Sequence, residues 1–392
     1  QLLLNGNPIG SSVNGTGSAI SFGLQTLAGS YTVRATNTTT LCEAIMSGAV
    51  TITINPLPTA FNVTGGGAYC AGDPGVEVGL SGSQLNVSYQ LYLNGNPIGA
   101  PANGTGSAIS FGLQTSAGTY TVEASHSTTL CENVMNGSVN ITINPLPTVF
   151  NVLGGGDVCS GTTGIEIELS GSQTGVNYVL YLDGVSTGIT IGGNGGPISF
   201  GFQNQEGTYT VEGTFVATLC SSTMNGSATI SVNPLPVAYN VTGGGEYCAG
   251  DPGLEVGLSD SETGVSYQLN LNGNPVGLPV LGSGNAISFG LQLAEGTYTV
   301  VATNTTTLCE AAMTGSVSIT INPLPLEFTV TGGGEYCQGG AGVVVGLSGS
   351  EAGINYELFV NGGTTGTVTI GNGGAISFGL QTTAGTYTVV AI

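Results

Sequence analysis

Eight cysteines are the side chains of this chain best suited to chemistry, and their spacing is regular. One set of four recurs at intervals of 89 residues and comprises Cys70, Cys159, Cys248 and Cys337. The second set has the same interval and comprises Cys42, Cys131, Cys220 and Cys309. Regularly spaced cysteines form disulfides or hold a metal, and a metal site needs a close Cys-x-x-Cys cluster or several histidines. Because His126 is the only histidine, the spacing predicts structural disulfides and no metal site.

Few other side chains could support catalysis. The chain has one arginine, Arg34, and no lysine, so acid–base chemistry would rest on carboxylates. Glu166 and Glu168 would share one face of a strand, but equivalent positions elsewhere do not keep the pair. His126 stands where other repeats carry asparagine, which indicates a loop substitution without a role. We therefore expect no catalytic residues, no cofactor site and no enzyme activity.

Calcium is the one ligand that the acidic residues leave open. Asp73 and Glu77 recur as Asp251 and Glu255, whereas the equivalent positions of the other repeats lack one or both acids. Calcium sites need several oxygen ligands, and carboxylates supply much of the charge. We interpret these residues as ordinary loop acids and keep calcium as the alternative.

The charge balance excludes several classes of partner. Lys+Arg total 1 against 22 Asp+Glu, which gives a net charge of −21. Nothing neutralises phosphates, so we expect no binding to nucleic acid or to an anionic lipid surface. No apolar run is long enough to span a bilayer, and the first residues do not have the pattern of a signal peptide, so we expect no direct membrane insertion.

The elements that must position the cysteines are strands. Within residues 58–146, apolar residues alternate with polar ones in short runs such as Val76–Leu80, Tyr89–Leu93 and Ile109–Leu113. Turn sequences such as Asn94-Gly95 separate the runs, and together they predict about seven strands, the number in a small β-sandwich. The alternation also predicts a buried aromatic position in each repeat, occupied by Phe22, Phe111, Phe200, Phe289 and Phe378.

The 89-residue period divides the chain into repeats. The string Asn-Pro-Leu-Pro ends a unit at Pro58, Pro147, Pro236 and Pro325. The predicted domains are a partial repeat (1–57), three full repeats (58–146, 147–235 and 236–324) and a second partial repeat (325–392). Both ends fall inside a repeat, so we expect the sequence to belong to a longer array.

One strand resembles a strand of immunoglobulin-like (Ig-like) domains. Gly118-Thr119-Tyr120-Thr121-Val122 is similar to strand F of that family, in which the tyrosine forms a corner with nearby backbone. Val122 stands where antibody domains have a cysteine, and the chain has no tryptophan, so an antibody-type core is excluded. The expected fold is all-β: a tandem array of Ig-like antiparallel β-sandwich domains of about 89 residues each.

A closer resemblance is to Ig-like tandem repeats of large secreted surface proteins of Bacteroidota, including gliding and adhesion proteins exported by the type IX route. It rests on Gly67-Ala68-Tyr69-Cys70, on the Tyr120 strand, on Thr129-Leu130-Cys131 and on Val139–Pro145. The resemblance extends over every repeat and implies an extracellular, cell-surface protein.

Two pairing schemes are compatible with the cysteine spacing. Pairing within a repeat would join Cys70 to Cys131, Cys159 to Cys220 and Cys248 to Cys309, with Cys42 and Cys337 paired outside the printed sequence. Pairing across a junction would join Cys42 to Cys70, 28 residues apart. Extended strands on both sides of the junction would hold those two sulfurs far apart, which favours the scheme within a repeat.

These features predict a structural role. The leading hypothesis is a repeat array that forms the shaft of an extracellular surface fibre, filament or adhesin. Its partners would be other copies of the chain or neighbouring repeats. The alternative is a multivalent module whose loops bind glycans or a solid surface by avidity, with Tyr92, Tyr181 and Phe215 as the candidate exposed aromatics.

Overall fold

All regular structure in this chain is β-strand. A computed structural model describes residues 1–392, and it contains 39 strands and no helix. Residues 1–57 contain β1 (Leu2–Leu4), β2 (Asn7–Ile9), β3 (Gly29–Thr36), β4 (Glu43–Ile45) and β5 (Val50–Ile52). The first full repeat contains β6 (Val63–Gly65), β7 (Gly67–Cys70), β8 (Val76–Leu80), β9 (Val87–Leu93), β10 (Asn96–Asn103), β11 (Ile109–Gln114), β12 (Gly118–His126), β13 (Glu132–Val134) and β14 (Val139–Asn144).

The later repeats contain strands at equivalent positions. The second full repeat has β15 (Val152–Leu153), β16 (Gly156–Cys159), β17 (Ile165–Leu169), β18 (Val176–Leu182), β19 (Val185–Gly192), β20 (Ile198–Gln203), β21 (Gly207–Phe215), β22 (Ser221–Thr223) and β23 (Ala228–Asn233). The third has β24 (Val241–Gly243), β25 (Gly245–Cys248), β26 (Leu254–Leu258), β27 (Val265–Leu271), β28 (Asn274–Pro275), β29 (Val280–Leu281), β30 (Ile287–Gln292), β31 (Gly296–Asn304), β32 (Glu310–Ala312) and β33 (Val317–Asn322). Residues 325–392 contain β34 (Val330–Gly332), β35 (Val343–Leu347), β36 (Asn355–Val360), β37 (Gly363–Ile370), β38 (Ile376–Gln381) and β39 (Tyr387–Ala391).

Each full repeat is built from two sheets. In the first, β11-β8-β6 form one sheet and β10-β9-β12-β14-β7 form the other, with β13 added to β12. In the third, β24-β26-β30 face β25-β33-β31-β27-β28, with β29 on β27 and β32 on β31. In the second, β15 pairs with β17, β18 pairs with β19 and β21, and β16 pairs in parallel with β23. The predicted fold, a tandem array of Ig-like antiparallel β-sandwiches, is confirmed.

The core of the first full repeat lies between its two sheets. Val78 and Leu80 from one sheet pack with Tyr89, Leu91 and Tyr120 from the other, and all are at least 97% buried. Separate cores of the same kind lie within the third repeat and within residues 328–391. Each of these regions therefore buries its own apolar face.

A three-glycine turn moves the chain from one sheet to the other at the start of each full repeat. Gly65, Gly66 and Gly67 have φ values of 90°, 71° and 133°. A Cβ on Gly65 would lie 2.0 Å from the carbonyl oxygen of Glu77, so only glycine fits this position. The turn ends β6 in the smaller sheet and starts β7 in the larger one, which brings Cys70 to the end of a strand.

The predicted alternation fails in one strand. In β11 the register shifts between Ser110 and Leu113, and Gly112 between them has a φ of 77°. This bulge turns Leu113 outwards, where it is 57% exposed, and leaves Phe111 half-buried. The equivalent Phe22 and Phe289 are also half-buried, whereas Phe200 and Phe378 are buried as predicted.

The chain groups into two compact units. The first comprises 1–154, 166–201 and 208–228, and the second comprises 155–165, 202–207 and 229–392. The division into sequence repeats at 57/58, 146/147, 235/236 and 324/325 stays a prediction.

Candidate functional site

The distinctive chemical feature of the molecule is a pair of disulfides that join successive repeats. Cys70 is bonded to Cys220, with Cα atoms 5.6 Å apart, and Cys159 to Cys309, with Cα atoms 5.5 Å apart. Both pairs are 150 residues apart in sequence. Each bond therefore links a cysteine of one repeat to the second-set cysteine of the next.

Two local structures position each disulfide. Cys70 ends β7, which runs parallel to β14 with Cys70 opposite Asn144, the residue that ends the last strand of the same repeat. The N–H of Ala71 donates to the carbonyl oxygen of Asn144 at 2.9 Å and continues this ladder. Cys220 comes just before β22 in the following repeat and is 1% exposed. The cross-link thus joins the C-terminal end of one repeat to a turn of the next.

The expected pairing within a repeat is wrong. Cys70 lies beside Asn144, where the chain leaves the first full repeat, whereas the Sγ of Cys131 lies 4.0 Å from the carbonyl oxygen of Asn55, where the chain enters it. The two sulfurs of one repeat are therefore held at its two ends. Cys159 is likewise not bonded to Cys220, and Cys248 is not bonded to Cys309. The alternative bond between Cys42 and Cys70 is absent too.

Four cysteines are free: Cys42, Cys131, Cys248 and Cys337. A spacing of 150 residues explains which four, because the counterparts of these cysteines would fall outside residues 1–392. Cys131 and Cys248 were expected to form bonds within their repeats, and that expectation is wrong. The pairing of Cys42 and Cys337 outside the printed sequence stays a prediction.

The turn before each second-set cysteine is held by a polar cap. Asn37 Oδ1 accepts hydrogen bonds from the backbone N–H groups of Thr39 and Thr40, at 2.9 and 3.0 Å. His126 Nδ1 accepts the equivalent bonds from Thr128 and Thr129, at 3.3 and 3.4 Å. His126 thus has a structural role that the sequence reading missed: its ring nitrogen replaces an amide oxygen as the cap.

An exposed leucine in a left-handed backbone conformation recurs in the same turn. Leu130 has a φ of 55° and is 73% exposed. Its counterparts are Leu41, Leu219 and Leu308, with φ values of 58°, 60° and 58° and exposures of 73%, 75% and 71%. A non-glycine residue in this region of φ is uncommon, and here it recurs beside every second-set cysteine.

The tyrosine corner expected from the Ig-like strand is confirmed. The hydroxyl of Tyr120 donates to the carbonyl oxygen of Ser116 at 2.8 Å, and the ring is fully buried. Tyr31, Tyr298 and Tyr387 make the same bond to the residue four positions earlier. Burial raises the pKa of the Tyr120 phenol, and the hydrogen bond to Ser116 partly opposes the rise.

The three candidate binding aromatics do not lie on loops. Tyr92 belongs to β9, Tyr181 to β18 and Phe215 to the end of β21, and all three are half-buried. The hydroxyl of Tyr181 donates to Glu212 Oε2 at 2.9 Å. A hydrogen bond to the carboxylate of Glu123 raises the pKa of Tyr92 in the same way. These tyrosines are engaged in their own sheets, so the loop-based binding site loses its expected aromatics.

The acidic residues have local partners. Asp73 Oδ2 accepts from the backbone N–H of Cys70 at 3.3 Å, and Asp251 repeats this bond with Cys248. Glu166 accepts from the hydroxyl of Ser199 at 2.5 Å, while Glu168 points to the half-buried side of β17. No group of three or more His, Cys, Asp or Glu side chains is placed to hold a metal ion. The chain also contains no helix of the length and apolarity needed to cross a bilayer.

A shallow groove recurs on the smaller sheet. In the first full repeat it has a volume of about 310 Å³ and is lined by Glu77, Gly79 and Ile109. In the third repeat the equivalent groove of about 380 Å³ is lined by Glu255, Gly257 and Ile287. It lies over a strand glycine and holds one carboxylate, so it offers no cluster of catalytic groups.

The chain matches no known family. No protein-family model matches the sequence, and no curated protein does. Among solved structures, it is similar to the eight N-terminal Ig domains of Down Syndrome Cell Adhesion Molecule, at 14% identity and a TM-score of 0.27, covering 93% of this chain and 56% of that one. It is also similar to Sidekick-1 immunoglobulin domains 1–5, at 12% identity and a TM-score of 0.24, covering 100% and 88%.

A third similar structure is the ICAM-5 D1–D4 ectodomain fragment. The identity is 12% and the TM-score 0.31, with 75% of this chain and 83% of that chain covered. Similarity at this level transfers none of these proteins' activities to the chain.

Proposed function

We propose that this chain is a structural repeat array that forms the shaft of an extracellular fibre, filament or adhesin. The observation that carries the proposal is the covalent link between successive repeats, which recurs in the same register at Cys70–Cys220 and Cys159–Cys309. A spacer needs repeats that are equivalent and firmly joined, and the shared fold together with these bonds supports both requirements.

The proposed location is outside the cell, at its surface. Disulfides persist in oxidising compartments and are rare in the cytosol, so two structural disulfides support this location. Origin in a secreted surface protein of Bacteroidota is part of the proposal and rests on the sequence resemblance alone.

We also propose that the chain is not an enzyme and uses no cofactor. The only histidine caps a turn, and Asp73 and Asp251 cap the turns after Cys70 and Cys248. These bonds give the residues a structural use, which supports the interpretation of Asp73 and Asp251 as loop acids over calcium ligands.

One observation favours a second function, multivalent binding by avidity. Exposed leucines at Leu41, Leu130, Leu219 and Leu308 place the same apolar contact on each repeat. Many weak contacts of this kind, to glycans, to a solid surface or to other copies of the chain, would add up along an array.

Single-repeat deletions separate spacer from binder. Deleting 59–147, 148–236 or 237–325 rejoins equivalent positions and removes 89 residues in each case. For a spacer we expect each variant to be exported and to shorten the fibre equally, with attachment reduced in proportion at most. Loss of attachment in one deletion alone would contradict the spacer proposal.

The leucines provide the matched test of the alternative. Replacing all four exposed leucines with serine leaves the cores intact, since these side chains are more than 70% exposed. Attachment should be unchanged for a spacer and strongly reduced for a multivalent binder. Fibre length, which the substitutions should not affect, is the control measurement.

A further inference from the structure

The two disulfides enclose overlapping lengths of chain. One bond closes the stretch from Cys70 to Cys220 and the other the stretch from Cys159 to Cys309, so residues 159–220 belong to both. Bonds within single repeats would leave the junctions unspanned. The observed connectivity instead spans every peptide bond between residues 70 and 309.

We propose that these interlocked disulfides keep the array covalently continuous after its backbone is cut. Cleavage at any one peptide bond between Cys70 and Cys309 leaves the two pieces joined through at least one disulfide. The inference goes beyond the proposed function, because it holds equally for a shaft and for a multivalent binder. It gives an exposed surface protein resistance to being severed by proteases.

Counting fragments shows how strong the protection is. The four bonded cysteines divide the region into three intervals: 70–159, 159–220 and 220–309. Two cuts in any two intervals still leave every cysteine-containing fragment connected to the others. The ends separate only when all three intervals are cut, because Cys70 then remains with Cys220 and Cys159 with Cys309 as two independent pairs.

The environment of the bonds supports their persistence. Cys220 is 1% exposed and Cys309 0%, so one sulfur of each bond is shielded from solvent while the repeat is folded. A thiol in solution reaches such a sulfur only through local opening of the repeat. The links therefore persist under conditions in which an exposed loop is already open to proteases.

The composition of the chain permits a clean test with trypsin. Trypsin cuts after lysine or arginine, and Arg34 is the only such residue, so an Arg34→Gln background has no natural site. Lysines are then introduced at exposed positions, one in each interval, as Thr148→Lys, Thr174→Lys and Val237→Lys. Free thiols are blocked by alkylation, the protein is unfolded in urea so that every site is accessible, and the digest is run with and without reductant.

The Thr148→Lys variant decides between the pairings. We expect it to run as one intact species without reductant and as two fragments with it. Pairing within repeats predicts two fragments under both conditions, because no such bond spans residue 148. Thr174→Lys is the matched control, since residue 174 lies between bonded cysteines under both schemes and the variant should stay joined until reduced.

The triple variant tests the interlock itself. We expect two disulfide-linked products without reductant, one containing residues 1–148 with 175–237 and the other containing 149–174 with 238–392. The three pairwise combinations of the lysine substitutions should each remain a single species. Separation of a pairwise combination without reductant would overturn the proposal.

A second measurement guards against variants that misfold. Peptic digestion of the unchanged protein at acidic pH, where thiol–disulfide exchange is slow, should yield peptides that join Cys70 to Cys220 and Cys159 to Cys309. Peptides joining Cys70 to Cys131 would overturn the proposal independently of any substitution. Neither result depends on fibre attachment, so failure here is distinguishable from failure of the shaft proposal.

Discussion

At the scale of single residues, tyrosines hold both sheets together in a way that a phenylalanine could not. Tyr89 is fully buried and its hydroxyl accepts the backbone N–H of Gln84 at 2.8 Å, while Tyr120 donates to Ser116. Tyr178, Tyr267 and Tyr356 repeat the bond made by Tyr89. Each hydroxyl satisfies a backbone group near the edge of a core, where an unpaired group would cost about 1–3 kcal/mol.

These tyrosines predict a loss of stability in alkali. Burial raises the pKa of Tyr89, Tyr120, Tyr178, Tyr267 and Tyr298 above the ordinary value of 10.0. The unfolded chain therefore loses these protons at lower pH than the folded chain does. Stability should be constant below pH 10 as far as these groups are concerned, and should fall as pH rises from about 10 through the raised values.

The measurement is urea unfolding between pH 8 and 11 after the free thiols have been alkylated. Tyr89→Phe is the control: it should lower stability at pH 8 by about 1 kcal/mol through the lost bond to Gln84 and weaken the alkaline slope. A free energy of unfolding that stays flat up to pH 11 would contradict the prediction.

At the scale of elements, the three-glycine turn determines where the disulfide can form. It moves the chain from the smaller sheet to the parallel edge of β14 and so carries Cys70 to Asn144. The sequence showed the three glycines as a turn but did not show that the chain changes sheets there.

Gly65→Ala should therefore destabilise the repeat and prevent the cross-link. The new methyl would lie 2.0 Å from the carbonyl oxygen of Glu77, at a φ of 90°. Gly72→Ala is the matched control, since Gly72 has a φ of 96° and open space around it, so that it bears only the backbone cost of about 1–2 kcal/mol. Urea unfolding should give a larger loss for Gly65→Ala, and peptide mapping should show less of the Cys70–Cys220 bond in that variant alone.

The bulge in β11 predicts unequal effects of equivalent core substitutions. Phe200 is 4% exposed, so Phe200→Ala should cost about 3–5 kcal/mol, the usual range for a buried phenylalanine. Phe111 is half-buried, and Phe111→Ala should cost roughly half as much. Unfolding of the two variants by urea compares them directly, and Leu113→Ala, at a side chain 57% exposed, should stay within about 0.5 kcal/mol. A larger loss for Phe111→Ala than for Phe200→Ala would contradict this reading of the strand faces.

At the scale of the whole molecule, the interlocked disulfides shorten the covalent path under tension. The backbone from Cys70 to Cys309 contains 239 residues (309 − 70), whereas either disulfide reduces the path to 89 (309 − 220 or 159 − 70). Because the two short paths run side by side, reduction of one bond leaves the other to carry the load.

Stretching single molecules in the presence of a reductant should reveal this arrangement. After the repeats have unfolded, reduction of the second bond should release 150 residues (239 − 89) in one step. At roughly 3.3–3.6 Å per residue this is about 500 Å of extended chain. Pairing within repeats would instead release about 200 Å per bond in three steps, one for each loop of 61 residues (131 − 70). Repetition without reductant is the control and should show no such release.

The sequence by itself determined the features that depend on local spacing. The 89-residue period, the alternation in strands such as Val76–Leu80, the Asn94-Gly95 turn and the Tyr120 corner all follow from short stretches of chain, and all could be predicted. A hairpin turn of this kind needs positive φ at both residues, and Asn94 and Gly95 have φ values of 48° and 80°.

Only the tertiary structure decided which cysteines meet. The spacing is compatible with bonds over 28, 61 or 150 residues, and the choice depends on the end of the repeat at which each sulfur lies. Cys70 reaches the exit of its repeat because β7 pairs in parallel with β14, a contact between residues more than 70 apart in sequence. The outward turn of Leu113 was hidden for a related reason: the alternation of residue types is the same in a regular strand and in a bulged one, and only the register against β8 distinguishes them.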